Sequence, residues 1–320
     1  MRGLGRAACA LVLFLLIAPD VMAQDGAAPS LSLADLDALM VEDEQSVPAL
    51  ESKKVIDLVA LIGFLSLATI SFLQKSTILK YVTMVVAIAY MGFAKANLVS
   101  MVHLFGVLEW SFPIFKYNVT WYMLMGFTLL STILFGRVYC GRICPFGAFT
   151  QLMDVIIPSR FRYELPKHLD KKAIYLKYLI LFAVIVYFLI TRDNFVYKYV
   201  EPFWMFTLNG TTVMWVLLSV LILITIFVRN FYCRYLCSVG AGLGLISNLS
   251  VFRIKRWKQC NSCKVCEKVC KWGAIEGPKI LVTECVRCDD CEIIYNDKDR
   301  CVHWLMIKKK SLREKRLQRA

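Results

Sequence analysis

The sequence predicts a mainly α-helical membrane protein: five spanning helices arranged as a pseudo-two-fold repeat, then a small cysteine-rich α+β domain. Three observations predict it. Apolar residues make up 58% of the 320 and charged residues only 19%, well below a soluble chain. The apolar residues come in long uncharged blocks. Twelve of the 13 cysteines lie at or beyond position 140, in short, regularly spaced groups.

Residues 1–23 read as a signal peptide: Arg2 and Arg6 precede an apolar stretch from Ala7 to Ala18, and Val21-Met22-Ala23 offers a small-residue cleavage site. Cys9, inside it, has no ligand-type neighbour. Residues 24–54 are polar and acidic and read as a short periplasmic segment, partly disordered, with a turn or two of amphipathic helix within Ser32–Met40. Residues 55–252 then hold five apolar blocks, about 55–73, 78–95, 119–135, 173–190 and 211–228. Each approaches the roughly 20 residues that cross a bilayer.

Lys and Arg set the expected orientation. They crowd the connection between the third and fourth blocks, from Arg137 to Lys172, and everything after Arg229. The connections 96–117 and 191–210 are poorer in them and rich in aromatic residues, which suits the membrane interface. The expected site is the inner membrane of a bacterium, N-terminus periplasmic and C-terminus cytoplasmic.

Val138-Tyr-Cys-Gly-Arg-Ile-Cys-Pro-Phe-Gly-Ala aligns with Phe231-Tyr-Cys-Arg-Tyr-Leu-Cys-Ser-Val-Gly-Ala at an offset of 93. Both copies run in one direction through the membrane, so their axis lies along its normal.

The most specific chemical signal is Cys260-x-x-Cys263-x-x-Cys266-x-x-x-Cys270, followed by Cys285-x-x-Cys288-x-x-Cys291 and then Cys301. A disulfide framework does not suit this basic, inward-facing, reducing setting. Zinc needs four ligands and no third cysteine at this spacing. Tandem triplets with a trailing fourth fit two [4Fe–4S] clusters in a ferredoxin-like domain, residues 253–305, with crossed ligands. One set is Cys260, Cys263, Cys266 and Cys301; the other is Cys285, Cys288, Cys291 and Cys270. Lys271 and Val302 stand where proline usually follows the fourth cysteine, and nine residues separate Cys291 from Cys301, which makes Cys301 the weakest member. Lys264, Lys268, Lys271 and Arg287 are cations expected near the clusters.

The second signal is the repeated Cys-x-x-x-Cys, Cys140/Cys144 and Cys233/Cys237, whose spacing puts each pair on one helical face. Across a two-fold, four thiolates can share a further metal or cluster. A dithiol–disulfide pair and buried structural thiols are the competing readings.

Other cofactors find little support. His103, His168 and His303 are the only histidines and do not pair at one depth for haem. Neither a Cys-x-x-Cys-His, a dinucleotide fingerprint nor a P-loop occurs. The glycines from Gly240 suit close helix packing. The tail, 306–320, is strongly basic and fits anionic lipid headgroups rather than nucleic acid.

Several spans, two Cys-x-x-x-Cys motifs and a twin-cluster segment together resemble the NosR/NapH/CcoG-type membrane polyferredoxins. Within that family, Cys285-Val-Arg-Cys-Asp-Asp-Cys and the basic end are most similar to the NosR branch, over roughly residues 55–318. The resemblance implies an electron-transfer component rather than a stand-alone catalyst, working between a cytoplasmic donor or quinol and a periplasmic reductase of nitrous-oxide reduction, or in that enzyme's maturation. Full NosR-type members also carry a periplasmic domain with covalent FMN. Only about thirty residues occupy that place here, so a flavin is not carried over, and a separate flavoprotein or cytochrome is the expected partner. A redox-sensing or assembly factor for a respiratory metalloenzyme is the alternative, and a structural anchor with vestigial clusters the blandest reading.

Overall fold

A computed structural model describes residues 33–96, 98–110, 118–163, 165–192, 201–254, 256, 260 and 263–317. The expected signal peptide lies outside them. The chain groups into two units, Met1–Leu67 and Ala68–Ala320. The second contains every Cys-x-x-x-Cys and ferredoxin-type motif.

A helix occupies each of the five apolar blocks. They are α1 (Leu33–Gln74), α2 (Thr77–Val86, continued by a π-helical stretch Ala87–Ala94), α4 (Val119–Phe135), α6 (Lys167–Thr191) and α7 (Thr212–Phe227); the short α3 (Met101–Leu108) lies in the connection after α2. Helix α1 begins well before its apolar part and runs through the acidic segment, where the sequence suggested only a turn or two. Among the described residues three helices are long and apolar enough to cross a membrane: Lys54–Gln74, Thr77–Ala94 and His168–Thr191. Helices α4 and α7 are as apolar but have only 17 and 16 residues. At 1.5 Å per residue they reach about 25 Å, short of a roughly 30 Å hydrocarbon core. Gly136, at φ 93°, stops α4, and Asn230, at φ 51°, marks the turn after α7. Leu179, Phe182 and Ile190 on α6 are 63%, 67% and 76% exposed, a surface that suits lipid and not water.

After α4 and α7 the chain makes the same local excursion twice. A π-helical turn, Tyr139–Ile143 or Tyr232–Leu236, leads into a short helix, α5 (Pro145–Ile156) or α8 (Ser238–Ser247). Pro145 takes the first helical position, where its missing N–H is no loss.

The aromatic connections do more than anchor at an interface. Phe105 is buried and stacks on Phe188 at 4.1 Å, and Phe206 in the 3-10 turn Pro202–Phe206 is buried against Phe93 at 5.5 Å. Trp110, at 84% exposure, fits the interfacial expectation. A large ring with a packing partner gains more by burial than at the headgroups.

The cysteine-rich segment is built from small pieces: α9 (Val265–Val269), a hairpin of β1 (Ile275–Glu276) and β2 (Lys279–Ile280), α10 (Asp290–Asn296) and the basic α11 (Val302–Leu317). The antiparallel strands pair Ile275 with Ile280 across a turn that uses Gly277 at φ 57°.

Candidate metal centres

The eight ferredoxin-type cysteines are free thiols and fall into two neighbourhoods. Cys266 has Cys260, Cys263 and Cys301 within electrostatic reach. Cys270 is in reach of Cys285, Cys288 and Cys291. The grouping crosses the sequence order, as the ferredoxin pattern requires. The nine residues before Cys301 are short in space because most of them coil into α10. Trp304 Nε1 donates to the Tyr295 carbonyl at 3.1 Å and ties α11 back onto α10, which returns Cys301 to a buried position. Cys266 approaches the Cys291 carbonyl at 3.9 Å, so the two neighbourhoods adjoin.

Burial pushes the Cys285, Cys288 and Cys291 thiols up, with neighbouring thiols adding to the rise at Cys291. Such groups are protonated at neutral pH unless a cation binds them. Among the described residues no three His, Cys, Asp or Glu side chains close on a single-ion site. Sets made of cysteine alone suit iron–sulfur clusters in their chemistry.

The repeated turns bring Cys140, Cys144, Cys233 and Cys237 together, every pair of them in electrostatic reach. The Gly240 N–H donates to Cys237 Sγ at 3.2 Å, and Thr150 Oγ1 stands 3.9 Å from Cys233 Sγ. Arg137, fully buried, donates to the Thr283 carbonyl at 2.7 Å and lies in electrostatic reach of Cys140 and Cys237, a fixed cation for anionic thiolates. On another side Glu201, also buried, is in reach of Cys237 and accepts from the Ser100 hydroxyl and from Met101 N–H at 3.3 Å. Tyr139 O–H, between the turn and the same connection, accepts from Val99 N–H at 2.9 Å. The turns therefore sit between the ferredoxin-like loops and the connections 98–101 and 201–206.

Buried ion pairs fasten the ferredoxin-like loops to this tetrad. Arg142, inside the first Cys-x-x-x-Cys, donates to Asp289 at 2.5 Å and to Ser71 at 2.6 Å, with its guanidinium 5.7 Å from the Phe72 ring. Lys177, within α6, pairs with Glu284, the residue before Cys285, and Tyr178 O–H donates to the same carboxylate at 3.2 Å. Lys80 meets Asp290 at 2.7 Å, and Lys271 meets Asp154 at 2.9 Å. Arg287, expected as a cation beside a cluster, spends its head on the Phe135 and Phe252 carbonyls at the end of α4 and beyond α8, while its backbone N–H favours the Cys285 thiolate.

These partners were not visible in the sequence as a site. Lys177 was the available signal, a charge inside an apolar block. Trp272 and Val286 were also missed. They form a buried apolar cluster with Cys288, against which Cys140, Cys233 and Cys270 pack.

Fold and cysteine sets together define a membrane-bound iron–sulfur protein. A family model described as "4Fe-4S binding domain" matches residues 117–164 and 210–256, the two segments with the Cys-x-x-x-Cys turns, and a model described as "NosR" matches 258–312. "Regulatory protein NosR" of Stutzerimonas stutzeri is 31% identical over 236 residues, covering 69% of this chain and 32% of that protein. "Protein NirI" of Paracoccus denitrificans is 32% identical over 182 residues, covering 54% and 27%. A "Regulatory protein NosR" sequence of Pseudomonas aeruginosa is 39% identical over 72 residues, covering 22% of this chain and 72% of that sequence. The chain belongs to the NosR/NapH-type family, and it spans about a third of the length of the first NosR relatives it matches. No solved structure matches it.

Proposed function

We propose that this chain is an electron carrier of the bacterial inner membrane, serving a periplasmic respiratory reductase of nitrous-oxide reduction or its maturation. The observation that carries the reading is the fastening of the second ferredoxin-type cysteine loop, residues 284–290, to the membrane turns through buried pairs such as Arg142–Asp289. Two [4Fe–4S] clusters would be held by Cys260, Cys263, Cys266 and Cys301, and by Cys285, Cys288, Cys291 and Cys270. Cys140, Cys144, Cys233 and Cys237 would hold a third. Bound clusters supply one-electron chemistry; the protein fixes their separation and surroundings.

The reading includes five spans related by a pseudo-two-fold, a cleaved signal peptide, a periplasmic N-terminus and a cytoplasmic ferredoxin-like domain. On this reading the tetrad lies within the membrane's depth, which the shortness of α4 and α7, each followed directly by a cysteine turn, supports. Partners are a cytoplasmic donor or quinol and a periplasmic reductase or electron carrier, a flavoprotein or cytochrome among them. The basic α11 would rest on anionic lipid.

A second reading, a redox-sensing regulatory or assembly factor, is favoured by the printed name of the NosR relatives, "Regulatory protein". Anaerobic purification with iron and sulfide counts tests the cluster content: about eight irons mean two clusters and about twelve mean three. Stoichiometric zinc without iron overturns it. Cys263→Ser and Cys288→Ser then separate the roles. A carrier loses electron flow to the reductase at unchanged reductase abundance; a sensor changes the abundance.

A further inference from the structure

Among the described residues a buried apolar cluster forms a seam that joins two of the three cysteine groups. Trp272 is 3% exposed and Val286 1%, and with Cys288 they form a cluster onto which Cys270, Cys140 and Cys233 pack. Of the four cysteines in this group, two belong to the second ferredoxin set, Cys270 and Cys288, and two to the membrane tetrad, Cys140 and Cys233, one from each repeat copy. The first set, Cys260, Cys263, Cys266 and Cys301, has no member in the seam.

Both repeat copies are shaped to admit this seam. A side chain at Gly141, between Cys140 and Arg142, would collide with the Val286 carbonyl oxygen. The other copy has Arg234 at the aligned position, and its guanidinium lies over Gly273, which has φ 63° and follows Trp272 directly. Arg234 is held there by Asp170. One copy therefore grips the loop before Cys288 and the other grips the loop after Cys270. Symmetric sequence is used asymmetrically, and both grips act on the same set.

We propose that Trp272 and Val286 are the link through which the membrane tetrad exchanges electrons with the second ferredoxin set, leaving the first set coupled to the tetrad only by way of the second. This rests on the reading that the tetrad holds a redox-active cluster. Each exchange moves one electron: what the second centre loses the tetrad centre gains, or the reverse. The outside reductant is a soluble low-potential one-electron donor. Trp272 is a positioning residue, since it is buried in the cluster against which cysteines of both sets pack.

The test uses the full-length protein in detergent, reduced stepwise with dithionite and followed by EPR. Iron near twelve per chain, against eight, decides the underlying reading separately, and eight overturns both. With about twelve irons, the wild type should show magnetic coupling between the tetrad centre and a second centre. That coupling should survive Cys266→Ser, which removes the first set, and vanish in Cys288→Ser. Survival in Cys288→Ser together with loss in Cys266→Ser overturns the wiring while leaving the three-cluster reading intact. Trp272→Phe should keep the iron and weaken the coupling only slightly, whereas Trp272→Ala should lose coupling at unchanged iron. Unchanged coupling in Trp272→Ala overturns the role of this residue. If that variant does not fold, the two cysteine variants still decide the proposal.

Discussion

Arg142 lies between the cysteines of a membrane turn, Asp289 lies between the cysteines of a ferredoxin-type loop, and the two meet at 2.5 Å with 1% and 2% of their side chains exposed. The pair joins two cysteine motifs that lie far apart in sequence. Breaking a buried pair from one side leaves an uncompensated charge, which costs about 3–5 kcal/mol. Arg142→Leu and Asp289→Leu should each lower the unfolding midpoint strongly in detergent. The double variant should recover much of the loss, because two apolar side chains need no partner. A double-mutant cycle by thermal unfolding measures the coupling, and simple additivity would deny it.

Gly141 and Gly126 make a matched test of close approach. A Cβ at Gly141 meets the Val286 carbonyl, whereas one at Gly126, on α4, meets nothing within 4 Å. Gly141→Ala should cost about 1–3 kcal/mol through overpacking and loosen the 285–291 loop. Gly126→Ala should be neutral or stabilise by up to about 1 kcal/mol, since alanine is the better helix former. Limited proteolysis of the ferredoxin-like segment reads the difference: faster cutting is expected for the first variant alone.

Crossed ligands give a prediction that sequence order would reverse. Cys270 trails the first triplet but neighbours Cys285, Cys288 and Cys291, while Cys301 trails the second and neighbours Cys266. Cys270→Ala should abolish the signal that Cys288→Ala abolishes, and Cys301→Ala the signal that Cys263→Ala abolishes. Each should lower iron by about four per chain. Mössbauer or EPR spectra of the four variants sort them into pairs; the uncrossed pairing would refute the assignment.

The cysteine sets were legible because ligand spacing is local: a loop that wraps a cluster writes its geometry into a few consecutive positions. The tetrad was legible because its motif occurs twice. The fastening was not, since Arg142 lies 147 positions from Asp289 and Lys177 lies 107 from Glu284. Basic residues near the inner ends of spans also have a sufficient reason to exist in the orientation rule, which hides their pairing. The nine residues between Cys291 and Cys301 make Cys301 the weakest member in the sequence, and the reason that they do not separate it in space, the coiling of most of them into α10, is not written in the cysteine spacing. The aromatic connections were ambiguous for a physical reason: a ring suited to the interface is equally suited to a core, and only its neighbours decide.

Glu201 offers the remaining test, on the side of the tetrad away from the ferredoxin-like loops. Its carboxylate is 5% exposed, accepts from Ser100 and Met101, and is in reach of Cys237. A fixed negative charge beside a cluster opposes the arrival of an electron, so removing it stabilises the reduced form. Glu201→Gln keeps the shape and most of the hydrogen bonding and should move the tetrad's midpoint potential in the positive direction. The second ferredoxin set, on the far side of the Trp272 seam, should hold its potential in the same sample. Arg137, in electrostatic reach of Cys140 and Cys237, is the opposite case: Arg137→Gln removes a cation and should move the tetrad's potential negative. A redox titration followed by EPR reads all three, and shifts of the same sign in the two variants would show that the charges act through structure and not through the field.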